Sequence, residues 1–258
     1  MSMLPTNPHP QHAAVVTGAS SGIGEAAART LAAAGWKVFA VARRADRLAK
    51  LAQETGAIPV AADITDDAQV AALLAVVEAA GGIDTLVNIA GGARGADYLA
   101  EAKNEDWDFM LQANVMGTMK ITRAFLPMLR AHGEGTVLNL TSTAGLVSYE
   151  GGSGYNAAKA AQRALTQALR LEEVEYNIRV IEVLPGLVQT EEFALRRMGG
   201  DRELAQKPYA GVAKPLTAGD VADIVSYAVN APHHVNLDEI VVRPVAQAAA
   251  HKLIRGQA

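Results

Sequence analysis

The sequence contains no cysteine among its 258 residues, which excludes disulfide bonds, a thiolate nucleophile and cysteine-ligated metal sites. The formal net charge is −4, and no long run of basic residues occurs. Nucleic acid is therefore not an expected partner, because phosphate binding needs clustered lysine and arginine. A membrane is not expected either, since no stretch resembles a signal peptide or a membrane span. A cytoplasmic location is expected.

What is present is enough material for one large α/β domain. Half of the residues are hydrophobic and 19% are charged, a composition that can supply a buried core. Residues 1–12 contain three prolines and no apolar period, so a flexible leader is expected there. No long linker interrupts the rest, which predicts a single domain over 13–248 and a tail at 249–258.

Short apolar runs alternate with helix-forming segments along this domain. The alternation predicts a doubly wound parallel sheet of seven strands with helices on both faces. Predicted strands cover 13–17, 37–42, 58–62, 85–88, 136–141, 179–184 and 239–243. Predicted helices cover 22–34, 44–54, 66–80, 105–131, 155–173 and 218–230. The charged stretch 189–215 has no strand pattern and is interpreted as a substrate lid, mobile without ligand.

The first predicted strand runs into a glycine-rich turn, Thr17-Gly18-Ala19-Ser20-Ser21-Gly22-Ile23-Gly24, and then into a helix. A helix N-terminus offers unpaired N–H groups and a partial positive charge, which suit a dinucleotide phosphate. Gly18 would permit the tight turn, Gly22 a close approach to the pyrophosphate, and Gly24 the packing of helix on strand. The alternative is an ordinary glycine turn, but the strand–turn–helix setting favours an anion site.

Arg43 and Arg44 follow the second predicted strand, at the place where an NAD-binding protein usually carries an acid. Arg43 could bind a ribose 2′-phosphate and stack on the adenine, so NADP is favoured over NAD. Two solvated arginines are the alternative, weakened because cations oppose the dipole at a helix N-terminus. Asp63, after the third strand, could accept from the adenine amino group, or could be a loop or helix-cap aspartate.

Four polar residues form a candidate catalytic group. Tyr155 and Lys159 are four apart in a predicted helix, so they share a face, and a nearby ammonium lowers a tyrosine pKa from about 10. Ser142 ends the fifth strand, where a doubly wound sheet binds ligands, and could hydrogen-bond a substrate oxygen. Asn114 is a poor helix former inside a predicted helix, which indicates a local distortion. The alternatives are chance spacing for the pair and a Ser/Thr-rich turn for Ser142.

In their order along the chain, these motifs closely resemble the short-chain dehydrogenase/reductase family from residue 13 to residue 245. They are Thr17-Gly18-x-x-x-Gly22-x-Gly24, Asn88-x-Ala90-Gly91, Asn114, Ser142, Tyr155-x-x-x-Lys159 and Pro185-Gly186. The resemblance implies a single-domain Rossmann fold and an NADP-dependent oxidoreductase acting on CH–OH groups. One departure is Ile89, where a second asparagine is usual, and this puts the local hydrogen bonding in doubt.

The resemblance also implies a role for each matching residue. Tyr155 would be the proton donor or acceptor, Lys159 would bind the nicotinamide ribose and lower the tyrosine pKa, and Ser142 would orient the substrate carbonyl. Asn114 would hold a water in a proton relay. The implied cofactor-binding residues are Gly18, Ser20, Ser21, Gly22, Ile23, Gly24, Arg43, Arg44, Asp63, Ile64, Asn88, Ala90, Gly91, Tyr155, Lys159, Pro185, Gly186, Val188 and Thr190.

Segments 142–145, 151–152, 231–236 and 243–247 resemble a narrower branch, which contains NADP-dependent 3-hydroxy acid (serine-type) dehydrogenases and clavulanate-pathway aldehyde reductases. In that branch the C-terminal segment helps to build a tetramer, so a homotetramer is expected. A metal site at His233 and His234 is not expected, because no other ligand cluster is near in sequence.

The substrate is left open among a secondary alcohol or ketone, an aldehyde and a small 3-hydroxy acid. A lid arginine could clamp a carboxylate; the candidates are Arg196, Arg197 and Arg202. The alternatives are a solvated charged loop and an apolar pocket, built from Leu146, Tyr149, Phe193 and Tyr209. A reductase of 3-oxoacyl thioesters on an acyl carrier and a non-catalytic dinucleotide sensor are the competing functions.

Overall fold

A computed structural model describes residues 12–256, and the predicted leader lies outside them apart from His12. The main sheet contains β1 (Ala13–Thr17), β2 (Lys37–Ala42), β3 (Ile58–Ala61), β4 (Thr85–Asn88), β5 (Thr136–Leu140), β6 (Arg179–Pro185) and β7 (Glu239–Val242). All neighbours pair in parallel, in the order β3-β2-β1-β4-β5-β6-β7. The predicted seven-stranded, doubly wound parallel sheet is confirmed.

Helices connect the strands and cover both faces of the sheet. They are α1 (Gly22–Ala33), α2 (Ala45–Thr55), α3 (Asp67–Ala79), α4 (Asn104–Leu111), α5 (Gly117–His132), α6 (Ser153–Glu173), α7 (Phe193–Arg197), α8 (Arg202–Gln206) and α9 (Ala218–Asn230). Within residues 12–256, no helix combines the length and the apolarity needed to cross a membrane.

The central strands are buried on both sides because a helical layer covers each face. Every residue of β1 and of β5 is buried, the pattern of parallel strands between two layers. On one face Leu31 of α1 lies in the same core as Val221 of α9. On the other, Phe39 of β2 lies with Phe125 of α5. Each such side chain stabilises the fold by about 1.5–3 kcal/mol through burial.

The segment predicted as one helix over 105–131 is interrupted in its middle. A π-helical turn, Gln112–Met116, separates α4 from α5. The Asn114 side chain donates to the carbonyls of Met110 (2.7 Å) and Gly92 (2.8 Å) and accepts from the Gly92 N–H (3.1 Å). Because this amide competes with the helical backbone, the prediction of an unbroken helix is wrong, whereas the distortion indicated at Asn114 is confirmed.

One buried hydroxyl joins the carboxyl ends of β1 and β4. Thr17 Oγ1 accepts from the N–H groups of Ile89 (2.9 Å) and Ala90 (3.0 Å). The side chain of Ile89 packs against the core. The departure from the family pattern at Ile89 therefore leaves the backbone hydrogen bonds of this turn in place.

Two segments outside the sheet lie over its carboxyl end. The predicted lid, 189–215, carries α7 and α8, and a parallel bridge between Val188 and Leu216 closes its base. A hairpin of β8 (Gln247–Ala249) and β9 (Lys252–Leu253) follows β7 and is not predicted by the sequence. Arg255 donates to carbonyls of the lid at Lys207, Pro208 and Ala210. The lid and the hairpin are therefore tied to each other.

Candidate active site

A cavity of about 1160 Å³ opens at the carboxyl ends of the strands, the edge where a doubly wound sheet binds ligands. It brings together most of the predicted site residues, namely Gly18, Ser20, Ser21, Gly22, Ile23, Gly24, Arg43, Arg44, Asp63, Ile64, Ala90, Gly91, Ser142, Tyr155, Lys159, Pro185, Gly186, Val188 and Thr190. Asn88 and Asn114 are buried behind this lining. Asn88 donates to Thr122 (3.0 Å) and Asn139 (2.9 Å), so it supports the strand ends from within.

The glycine-rich turn at residues 17–24, called the phosphate turn below after its predicted ligand, brings β1 and α1 unusually close together. Gly18 has φ +73°, a left-handed conformation, and a Cβ there would lie 3.0 Å from the backbone of Ala90. A Cβ at Gly24 would overlap the Gly18 carbonyl, so α1 can start this close to β1 only at glycine. Ser21, Gly22 and Ile23 line the cavity, and the first turn of α1 therefore faces any anion bound there.

Arg44 connects the phosphate turn to the lid. Its guanidinium donates to the Ser20 hydroxyl (3.0 Å) and carbonyl (3.2 Å) and to the Glu192 carboxylate (2.8 Å). The hydrogen bond from Arg44 outweighs partial burial and holds the pKa of Glu192 below its ordinary value. Arg44 is thus occupied by protein groups on both sides of the cavity.

Arg43 has a freer side chain. It is 63% exposed, and its guanidinium lies 3.8 Å from Asp63 Oδ2. The other oxygen of Asp63 accepts from the N–H (2.9 Å) and hydroxyl (2.8 Å) of Thr65. Asp63 therefore makes the local turn contacts of a loop aspartate and also lies on the cavity wall.

Lys159 is a buried cation, 5% exposed. Its Nζ donates to the Leu140 carbonyl (3.2 Å) and to Gln162 Oε1 (2.8 Å), and lies 5.8 Å from the centre of the Tyr155 ring. Burial lowers the pKa of Lys159 to about 7, against the opposing effect of Glu182. Lys159 therefore loses its proton near neutral pH.

Tyr155 is also buried, and its environment favours the protonated phenol. Burial raises the pKa of Tyr155 well above its ordinary value, and Tyr149 adds to this, while Ser142 and Arg197 lower it. Ser142 Oγ accepts from the Ala144 N–H (3.1 Å), which starts the turn Thr143–Gly145 after β5. The hydroxyl predicted to orient a carbonyl thus lies beside the hydroxyl predicted to exchange the proton.

Arg197, alone of the three candidate lid arginines, reaches the tyrosines. It donates to Tyr149 Oη (2.9 Å) and to the carbonyls of Gly151 (3.0 Å) and Gly95 (3.1 Å). Its guanidinium carbon lies 5.5 Å from the Tyr149 ring centre and 5.7 Å from that of Tyr155. Arg196 and Arg202 are exposed, and Arg196 pairs with Glu192.

Part of the alternative apolar pocket is also formed. Tyr149, Phe193 and Tyr209 line the cavity, and the Phe193 ring meets Tyr155 edge-on at 5.8 Å. Leu146 is not among the lining residues of the described chain. Among residues 12–256, no group of three or more His, Cys, Asp or Glu side chains is placed to hold a metal ion.

Three contacts of the site were not predicted: Arg44 with Glu192, Arg197 with Tyr149, and Gln162 with Lys159. The spacing of three between Lys159 and Gln162 puts both on one helical face, and this was the available signal. The other two contacts join the lid to distant segments, and no local pattern specifies them.

The chain matches the model of the short chain dehydrogenase family over residues 12–198 and belongs to that family. The resemblance seen in the sequence is therefore confirmed, and the chain is an oxidoreductase. An uncharacterized oxidoreductase of Mycobacterium tuberculosis is 50% identical over 239 residues, 93% of each chain.

Two further relatives carry more specific descriptions. Serine 3-dehydrogenase of Agrobacterium fabrum is 39% identical over 239 residues, 92% of this chain and 95% of that one. A solved closed form of serine dehydrogenase complexed with NADP+ superimposes with a TM-score of 0.89 at 36% identity, covering 95% of this chain and 100% of the other. The narrower resemblance agrees with these similarities.

Proposed function

We propose that this protein is an NADP-dependent oxidoreductase acting on the alcohol or carbonyl group of a small acid, of the 3-hydroxy acid class, with Tyr155 as general acid and base. The observation that carries the proposal is the Arg197 guanidinium, 5.7 Å from the Tyr155 ring and inside the same cavity. It gives the proton-exchanging residue a cationic neighbour that suits a substrate carboxylate.

Tyr155 and Ser142 would handle the reacting oxygen. Because burial keeps the Tyr155 phenol protonated, it would donate its proton to the carbonyl oxygen during reduction and become a phenolate. In the reverse direction that phenolate would take the proton from the alcohol. Ser142 would hydrogen-bond the same oxygen while negative charge develops on it. The Lys159 and Arg197 cations then stabilise the phenolate that results. Asn114, which is buried behind the cavity lining, is proposed to hold a water molecule of the proton relay.

The cofactor would lie along the phosphate turn. The start of α1 suits its pyrophosphate, Lys159 its nicotinamide ribose, and Thr190, at the base of the lid, its amide. An ammonium has three donors, and Leu140 and Gln162 account for two. Bound NADP supplies the acceptor or donor of hydride. The relative solved with NADP+ supports this choice.

Arg43 is the proposed ligand of the 2′-phosphate. It is the more exposed of the two arginines after β2, whereas Arg44 already bonds Ser20 and Glu192. Arg44 would assist by holding the turn and the lid together. The exposed guanidinium of Arg43 leaves its planar fork available for a bidentate contact.

A free acid is favoured over the competing substrates. A 3-oxoacyl thioester carries no charge next to its reacting carbon and would leave Arg197 without a substrate partner. A non-catalytic sensor could dispense with Tyr155, Lys159 or Ser142, and all three are present. The name of the serine 3-dehydrogenase relative also supports a small hydroxy acid.

Replacing Arg43 by alanine is expected to weaken NADPH binding by about 1.5–3 kcal/mol, since a charge-assisted contact is lost, and to leave NADH binding nearly unchanged. Fluorescence titration with both cofactors measures this. Lys50→Ala is the matched control, because it removes one exposed cation from the same region on α2. Equal losses for NADPH and NADH in the Arg43 variant would show that this residue does not choose the cofactor.

Tyr155→Phe is expected to abolish nearly all turnover while NADPH still binds, because the change removes the exchangeable proton and little volume. NADPH oxidation is followed at neutral pH across small aldehydes, ketones and 3-oxo acids, with 3-hydroxy acids in the reverse direction. Tyr98→Phe, an exposed tyrosine, serves as the control. Activity within a few-fold of wild type in the Tyr155 variant would assign the acid/base work to another group.

Arg197→Met keeps the length of the side chain and removes its charge. KM for an acidic substrate is expected to rise roughly tenfold to a hundredfold, as a charge-assisted contact is lost, with KM for a neutral aldehyde little changed. Arg196→Met and Arg202→Met are the matched lid controls. Equal effects on both substrates would contradict the clamp and favour the apolar pocket of Tyr149, Phe193 and Tyr209.

A homotetramer is the proposed assembly. Apolar side chains are exposed at the end of α6, at Leu171 and Val174, and after β7, at Val245 and Ile254; such surfaces suit contact with further copies. Sedimentation velocity is expected to give a species of about four times the 27.0 kDa chain. A stable, active monomer would refute this assembly.

A further inference from the structure

A buried amide follows Lys159 by three residues on α6. Gln162 is 0% exposed, and its Oε1 lies 2.8 Å from the Lys159 Nζ, closer than the Leu140 carbonyl at 3.2 Å. A fully buried glutamine is uncommon in a core, because its amide must find hydrogen-bond partners there. Its principal partner here is the ammonium of the candidate active site.

The orientation of this amide is set by a threonine on the neighbouring helix. Thr118 Oγ1 donates its single hydrogen to the Asn114 carbonyl (2.8 Å), which can only accept. The hydroxyl must therefore accept from Gln162, whose Nε2 lies 3.1 Å away. With the NH₂ end directed at Thr118, the amide oxygen is the end that faces Lys159.

The chain of hydrogen bonds reaches the wall of the cavity. Asn114 sits in the π-helical turn, and its side chain bonds both backbone polar groups of Gly92. Gly92 lines the cavity, as does its neighbour Gly91, where a Cβ would lie 3.8 Å from the Lys159 Nζ. The π turn, Thr118 and Gln162 thus form one continuous support behind the ammonium.

The amide oxygen of Gln162 affects whether Lys159 carries a charge. Burial lowers the pKa of Lys159 to about 7, so the lysine is only partly charged at neutral pH. The ionisable groups that face Lys159 are Tyr155 on the same helix and Glu182 of β6. The Glu182 carboxylate in turn lies 3.9 Å from Nε of Arg163. An oxygen that accepts from the ammonium favours the charged form.

We propose that Gln162 is a positioning residue for Lys159. Its amide oxygen, oriented by Thr118 and anchored to the π-helical turn, aims the ammonium and raises the fraction of Lys159 that is charged at neutral pH. This inference rests on the proposed function only for the use that the reaction makes of Lys159; the effect on Lys159 itself can be measured without turnover.

The first test compares Gln162→Leu with wild type. Losing the acceptor lowers the pKa of Lys159. As the pH rises, activity that needs the charged lysine is therefore expected to be lost at a lower pH than in wild type. At pH 7.5, kcat is expected to fall by roughly tenfold or more, with KM for substrate little changed. Thr166→Val is the matched control: Thr166 is buried on the same helix, and its hydroxyl accepts from Asn139 and donates to the main-chain carbonyl of Gln162, with no hydrogen bond to the Gln162 side chain or to Lys159. A pH profile like that of wild type in Gln162→Leu would overturn the proposal.

Thr118 supplies the conservative rescue. Thr118→Val removes the hydroxyl that orients the amide and is expected to shift the pH profile in the same direction, whereas Thr118→Ser keeps the hydroxyl and should resemble wild type. If the role of Thr118 were purely structural, Thr118→Val would lower thermal stability and leave the pH profile unchanged. If Gln162→Leu does not fold, the two Thr118 variants decide the question on their own.

A readout without turnover separates this inference from the proposed function. The rate of Lys159 acetylation by acetic anhydride, measured by mass spectrometry against pH, reports the charge of the lysine. The profile is expected to move to lower pH in Gln162→Leu and Thr118→Val. An unmoved profile overturns the positioning role. If the acetylation profile moves but neither wild type nor any variant turns over substrate, the positioning role is supported and the proposed reaction is contradicted.

Discussion

A positive charge held inside the protein is the constraint around which this site is organised. Taking an ammonium out of water is costly unless hydrogen bonds replace the lost hydration. The Leu140 carbonyl at the end of β5 and the Gln162 amide on α6 provide them. Gln162 in turn depends on Thr118, and Thr118 on the carbonyl of Asn114. The strand end, the helix face and the π-helical turn are therefore mutually dependent.

The same requirement explains why polar side chains persist in the middle of an apolar sheet. Asn139 of β5 donates to Thr166 of α6 and accepts from Asn88 of β4. Asn88 also donates to Thr122 of α5. These hydrogen bonds link β4, β5, α5 and α6 behind the cavity. Within the described chain, Asn88 Oδ1 is the one oxygen of this Asn88–Asn139 cluster that has no partner.

Most of the fold could be predicted because its signals are local. The buried strands appear as apolar runs, as at 13–17, and the phosphate turn appears as glycines between a strand and a helix. The hairpin at 247–253 could not be predicted, since its strands have only three and two residues and carry no alternation. The π-helical turn could be located at Asn114 but not given its bounds, because the competing partner, Gly92, is distant in sequence.

The cavity has two halves of different construction. One half is made of strand ends and the start of α1, which the core holds in place. The other half is made of the lid and the terminal hairpin, joined through Arg255 to the carbonyl of Pro208 (3.1 Å). Lid and hairpin are therefore in direct contact and form one wall of the cavity. Gln247 of the hairpin also accepts from the Leu187 N–H (2.8 Å), just before the lid begins. A lid grafted from a relative would therefore keep its contacts with the hairpin only if residues 247–255 were transplanted with it.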